Sequence, residues 1–199
     1  MIRLYDYELS GSCYKVRLLL NMLSLDYEKV AIDFVGAEHK SNDFLALNPL
    51  GELPLLDDSG LLIRDAQTIL VYLATKYDVT HTLYPVDAAS QSQVLQWLAI
   101  AGNELMSVSG ARLAKSLHYP LDIERLQEKA KRFFVLLDQH LCQHKYLALE
   151  HLTIADIACF PYSVLANEAG IDISGYKHLI TWIERIKSAP NFIGMPGVK

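Results

Sequence analysis

Cysteine is scarce in this sequence. Cys13, Cys142 and Cys159 form an odd, widely spaced set among 199 residues, which argues against a disulfide framework and for a reducing compartment. Positive charge is not in surplus either. Eighteen lysines and arginines against 23 aspartates and glutamates give a formal net charge of -5, so composition offers nothing to neutralise a phosphate backbone and no nucleic-acid partner is expected. Uninterrupted apolar runs long enough to cross a bilayer are missing. The start, Met1-Ile2-Arg3-Leu4-Tyr5-Asp6-Tyr7, lacks the charged region, apolar stretch and small-residue cleavage site of a signal peptide. A cytoplasmic protein without a membrane partner is expected. His140, Cys142, His144 and His151 fit no common zinc spacing, so no metal is expected.

What is present is apolar material, 51% of the chain, enough for one large domain or two small ones sharing an interface. The first part alternates short apolar runs with amphipathic stretches. Arg3–Tyr7 reads as a strand, Tyr14–Ser24 as a helix and Tyr27–Ile32 as a second strand, a βαβ unit with parallel pairing. After a helix or loop around Ser41–Leu47, Leu53–Leu56 and Leu61–Ile63 flank Asp57-Asp58-Ser59-Gly60, whose turn chemistry predicts a hairpin. Asp65 opens a helix running to about Tyr77. Turn-formers fill the stretch that follows, and beyond it the pattern is helical: Ala88–Leu117, Asp122–His144, Thr153–Glu168 and Tyr176–Ser188, with an irregular tail from Asn191. The expected fold is an α/β domain of order β-α-β-α-β-β-α with a mixed sheet at 1–78, a linker at 79–87 and an all-helical domain at 88–199.

Three segments carry the candidate chemistry. Ser10-Gly11-Ser12-Cys13 lies between the first strand and the first helix, where open sheets place ligands. A helix N-terminus favours an anion, including a thiolate, to which a serine hydroxyl can donate; Ser10 or Ser12 can equally be a plain helix cap. Pro54 cannot donate to a ladder, so Leu53-Pro54 marks an edge, a first strand residue or a cis bond. Thr153 and Asp156 read as a capping box, a folding signal rather than a catalytic one.

In order and spacing, Leu9-Ser10-Gly11-Ser12-Cys13-Tyr14-Lys15-Val16-Arg17-Leu18, Asn48-Pro49-Leu50-Gly51-Glu52-Leu53-Pro54-Leu55-Leu56, Asp65-Ala66-Gln67-Thr68-Ile69-Leu70 and Thr153-Ile154-Ala155-Asp156 resemble the glutathione transferase superfamily, in its serine-type, theta-like form. The resemblance implies a thioredoxin-like N-terminal domain and a helical C-terminal one. It makes Ser10 the hydroxyl that stabilises the glutathione thiolate, with Tyr5 and Cys13 as alternatives. Leu53 then pairs through its backbone with the cysteinyl part, Pro54 is cis, and Asp65, Ala66 and Gln67 lie at the glutamyl end. Lys40, and more weakly His39, faces the glycyl carboxylate. Tyr7, Asn103 and Ser107 fall to the electrophile pocket, and a homodimer is implied.

One departure bears on affinity. Many members of the superfamily have a serine where this chain has Ala66, and the lost charge-assisted hydrogen bond is worth about 1.5–3 kcal/mol. Free N-H groups at the following helix start are an available compensation. The expected activity is conjugation of glutathione, as co-substrate, to a small, largely apolar electrophile, with no permanently bound cofactor. Glutathione-dependent thiol-disulfide reduction and a catalytically silent binding module are the alternatives.

Overall fold

The computed structural model describes residues 1–198; Lys199, the end of the expected irregular tail, lies outside the described residues. In β1 (Ile2–Asp6), Ile2, Leu4 and Asp6 point to one face and Arg3 and Tyr5 to the other, the period of two that a strand imposes. Helix α1 (Gly11–Met22) returns the chain to β2 (Tyr27–Ala31), which pairs parallel with β1. After the short α2 (Asn42–Leu47), β3 (Leu55–Asp58) and β4 (Leu61–Arg64) form an antiparallel hairpin, and the sheet order is β2-β1-β3-β4. Ser59 and Gly60 at its tip both have positive φ, 56° and 96°, as a tight two-residue hairpin requires. β3 begins two residues later than the sequence suggests, because Pro54 has no N-H to give the ladder. Helix α3 (Ala66–Tyr77) completes the thioredoxin-like order, with Asp65 as its cap.

The expected single helix Ala88–Leu117 is instead two, α4 (Ala88–Asn103) and α5 (Met106–Leu117). Glu104 and Leu105 keep helical dihedrals, but Leu105 N-H donates to Ile100 C=O and Ser107 N-H to Glu104 C=O. The spacing of hydrogen bonds widens and then tightens, which breaks the helix without a loop. α6 (Ile123–Leu141), α7 (Ile154–Val164) and α8 (Lys177–Lys187) follow. α7 ends earlier than expected and passes into a 3-10 turn, Ala166–Ala169, closed by Gly170 at φ 76°. Every residue of α7 from Ile154 to Ser163 is buried, so this helix is the centre of the molecule. A continuous core runs from Ile2 and Leu4 of the sheet, through Tyr14 and Leu18 of α1, to Phe160 and Trp182. α1 is therefore covered on both sides, by the sheet and by α7.

Asp58, at the end of β3, is buried and accepts hydrogen bonds at one oxygen from Lys76 (2.6 Å), Tyr77 (2.6 Å) and Tyr72 (2.8 Å). Burial alone would raise its pKa; the three donors from α3 outweigh that and hold it well below the ordinary carboxylate range. A depressed native pKa contributes stability above the unfolded value of about 3.9 and loses it as pH falls further. Asp58→Asn is accordingly expected to lower the unfolding midpoint at pH 7 and to flatten its decline between pH 5 and pH 2 (about one to two units around the unfolded pKa). Parallel midpoint-against-pH curves for wild type and mutant would refute the role.

Candidate functional site

Strand register gathers the candidate segments at one end of the sheet. Asp6 is opposite Ala31, Tyr5 opposite Leu55, and Leu55 opposite Arg64, so the exit of β1 toward Ser10, the entry to β3 at Leu53-Pro54 and the exit of β4 toward Asp65 are neighbours. This is the carboxyl end of the parallel pair, where sheet folds leave room for a ligand.

The loop Tyr7–Ser10 is held from two directions. From α1, Arg17 pairs with buried Asp6 and donates to the carbonyls of Tyr7 and Glu8. From α5, Arg112 donates to Leu9 C=O at 3.3 Å while bound to Glu168. Ser10 is the N-cap of α1, its Oγ accepting from Cys13 N-H at 3.2 Å, so the capping reading holds. An oxygen that accepts through a lone pair still has its own hydrogen to give. Gly11 and Ser12 N-H find no acceptor among the described residues, which leaves the positive end of α1 open beside that hydroxyl.

Leu53-Pro54 is cis. Neither the N-H nor the C=O of Leu53 is paired among the described residues, so both remain for an extended peptide. At the end of β4, Asp65 sits at φ 69°, ψ 125°, a conformation that costs a residue with a side chain on the order of 1–3 kcal/mol. The kink lets Asp65 cap α3 through Thr68 N-H at 2.8 Å and leaves the N-H groups of Ala66 and Gln67 unpaired. Two helix starts thus meet the same end of the sheet, and together they favour a ligand carrying negative charge.

The other sequence candidates are placed as follows. The Cys13 thiol is completely buried, and burial pushes its pKa up to about 12, the opposite of an activated nucleophile. Tyr5 packs edge-on against Phe44, ring centres 6.0 Å apart, in the small core of Ile32, Phe44 and Leu55. Tyr7, Phe34 and His39 stack in series at 5.1 and 4.4 Å. His39 is buried with Nδ1 unpartnered, and burial, with Lys40 adding to it, lowers its pKa. Lys40 Nζ donates to Leu50 C=O at 3.0 Å, close to Gly51, whose φ of 58° allows that approach. Gln67 reaches α4, where a Cβ on Gly102 would lie 2.7 Å from its Nε2. Asn103 is exposed and accepts from Lys129, and Ser107 is buried with its hydroxyl turned to Glu104 C=O at 2.6 Å. The Ser107 hydroxyl and the Asn103 Oδ1 are thus engaged within the helical part.

Sequence reasoning missed Arg112 and Tyr162. Tyr162, buried in α7, shares a hydrogen bond of 2.9 Å with Ser12 Oγ, 150 residues away. Only the N-terminal end of this pair stood in a recognisable motif.

Residues 1–75 match the model of the glutathione S-transferase N-terminal domain and residues 120–190 that of the C-terminal domain. Among curated proteins, glutathione S-transferase 3 of Zea mays is 29% identical, covering 96% of this chain and 91% of its own length. The disulfide-bond oxidoreductase YfcG of Escherichia coli is 28% identical over 89% and 86%. Among solved structures, a glutathione S-transferase from Pseudomonas fluorescens superposes with a TM-score of 0.90 at 31% identity, covering 98% of each chain. A glutathione transferase homolog from Lodderomyces elongisporus with two GSH per subunit superposes at 0.87 with 27% identity, covering 96% and 94%.

Proposed function

The chain belongs to the glutathione S-transferase family, and from that premise we propose that it transfers the glutathione thiolate to a small, largely apolar electrophile. The observation that carries this reading is the juxtaposition at one sheet end of a serine hydroxyl that caps α1 through its oxygen and keeps its hydrogen to give, an unpaired main-chain edge at Leu53 and two open helix starts. In this reading the cysteinyl part of glutathione pairs with Leu53, its glutamyl carboxylate meets Ala66 and Gln67 N-H beside Asp65, and its glycyl carboxylate lies toward His39 and Lys40. The thiol then sits over Ser10 and the α1 start. The hydroxyl and the helix N-H groups stabilise the thiolate, and binding brings it to the electrophile; proximity and preorganised charge are the terms this geometry supplies. Residues 1–78 hold glutathione, 88–199 complete the electrophile pocket near Tyr7, Asn103 and Ser107, and the protein works in the cytoplasm as a homodimer without a resident cofactor. Among the described residues, no helix is long and apolar enough to cross a membrane.

Calorimetric titration tests the reading. Saturable heat is expected with glutathione, with affinity moderated by Ala66; no heat at millimolar ligand would leave only a silent module with this fold.

Disulfide reduction is the second reading, favoured by the name of the Escherichia coli relative and by the neighbour holding two GSH. Buried Cys13 speaks against a protein thiol in that chemistry, so two glutathiones in one site would have to carry it. An assay that separates thioether formation from loss of a mixed disulfide decides between the two.

A further inference from the structure

The three carbonyls that lead into Ser10 are all answered by arginine. Arg17 donates to those of Tyr7 (3.5 Å) and Glu8 (2.9 Å), and Arg112 to that of Leu9 (3.3 Å). The Leu9-Ser10 peptide is thereby held at both ends, because its N-H donates to Tyr7 C=O at 2.9 Å. A peptide unit is planar, so fixing both ends fixes where the Ser10 Cα starts. The bond from Cys13 N-H to Ser10 Oγ then places the side chain. The two arginines come from different parts of the chain. Arg17, on α1, is buried against Asp6 of β1, and its hold is internal to the sheet part. Arg112 is on α5, and its anchor Glu168 lies in the 3-10 turn that follows α7. Arg112 Nε and Nη2 both donate to Glu168 Oε2, at 2.9 and 2.6 Å. The other carboxylate oxygen, Oε1, abuts the chain at Gly197, where any Cβ would collide with it. The Arg112 side chain is only 13% exposed, so its contacts are screened less than those of a surface ion pair.

We propose that Arg112, braced by Glu168, is a positioning residue for Ser10: from the helical part it holds the Leu9-Ser10 peptide so that the serine hydroxyl and the open Gly11 and Ser12 N-H groups converge on one sulfur. Its guanidinium is committed to Glu168 and to Leu9 C=O, so it acts on the sulfur through the main chain and not by contact. The sheet part carries Ser10, but its placement depends on how α5 and the turn after α7 pack onto it. A donor moved by about 1 Å loses much of its bond, and misplacement on that scale costs up to roughly 10²-fold in rate. The inference rests on the glutathione reading above.

The test is a double-mutant cycle on the full chain: wild type, Ser10→Ala, Arg112→Leu and the two together. Each is read by thiolate absorbance of the glutathione complex against pH, and by calorimetry with S-methylglutathione, which has no thiol to ionise. Arg112→Leu is expected to raise the pKa of bound glutathione and so lower its thiolate fraction at neutral pH roughly three- to tenfold, no more than loss of the hydroxyl itself. Affinity for S-methylglutathione should stay within about twofold. In the Ser10→Ala background, Arg112→Leu should shift nothing further. An unshifted titration in Arg112→Leu, or in Ser10→Ala itself, overturns the assignment. A shift of the same size with and without Ser10 also overturns it, since Arg112 would then act on the sulfur as a charge. An equal loss of S-methylglutathione binding would make the role structural only and overturn it too. If Arg112→Leu does not fold, Glu168→Gln, which keeps the shape and releases the guanidinium, is judged by the same cycle. A wild type that binds neither ligand overturns the glutathione reading and this inference with it, whereas a wild type that binds and an Arg112 variant that titrates like it overturns Arg112 alone.

Discussion

Replacing Ser10 by alanine is expected to lower turnover near neutral pH by roughly 10²-fold, the scale of one lost donor to a developing anion, while glutathione binds almost as before. The Ser10 oxygen already accepts from Cys13 N-H, so its hydrogen is the part left to meet a sulfur above it. Removing that donor raises the pKa of bound glutathione toward the unperturbed thiol value of about 8.5. The deficit should shrink as pH rises, because free ionisation then replaces what the hydroxyl supplied. Loss of the cap costs about 1 kcal/mol of stability as well, so rates belong at temperatures far below unfolding. Thiolate absorbance of the binary complex against pH, for wild type, Ser10→Ala, Cys13→Ala and Tyr5→Phe, checks the assignment. A shifted titration in Tyr5→Phe or Cys13→Ala with an unshifted one in Ser10→Ala would move the role elsewhere. No shift in any variant would assign it to the Gly11 and Ser12 N-H groups.

Asp156→Ala should be far more damaging to the fold, at roughly 3–5 kcal/mol, a fall of about 6–20 °C in midpoint for a chain of this size. Asp156 is completely buried at the start of α7. One oxygen accepts from Leu147 N-H and Trp182 Nε1 at 3.0 and 2.9 Å; the other accepts from Thr153 N-H and Oγ1 at 3.0 and 3.3 Å. Burial keeps its pKa above the ordinary carboxylate range despite these donors. Alanine would leave several buried donors unsatisfied at once, whereas Thr153→Ala removes chiefly the cap on Ala155 N-H and should cost about 1 kcal/mol, at most about 2. Asp156→Asn keeps the volume but faces donors with an NH2 group, and should also destabilise. Denaturant unfolding of the three variants measures the ranking, and similar small shifts for Thr153→Ala and Asp156→Ala would refute the hub. Because α7 also carries Tyr162 and packs on α1 and α3, loss of this anchor reaches the site.

The sequence by itself determined the features whose partners lie within a few residues. The Ser10 and Asp65 caps, the Ser59-Gly60 turn and the Thr153–Asp156 box close their hydrogen bonds over one to three residues, and a pattern of side chains reports such bonds directly. The strand and helix order was legible for the same reason: the period of apolar residues follows from backbone geometry. Only the tertiary structure decided the break between α4 and α5, since Glu104 and Leu105 keep helical dihedrals and just the bonding step changes. It also decided that Cys13 is a core residue and that Lys15 is buried, because α1 is covered on one side by the sheet and on the other by a helix some 150 residues further on, whose arrival no local period announces. The contacts that hold the Ser10 loop, Arg112 to Leu9 across 103 residues and Tyr162 to Ser12 across 150, belong to the same class: they arise from the packing of α5 and α7 onto the sheet domain, and long-range packing leaves no mark in the spacing of neighbouring residues.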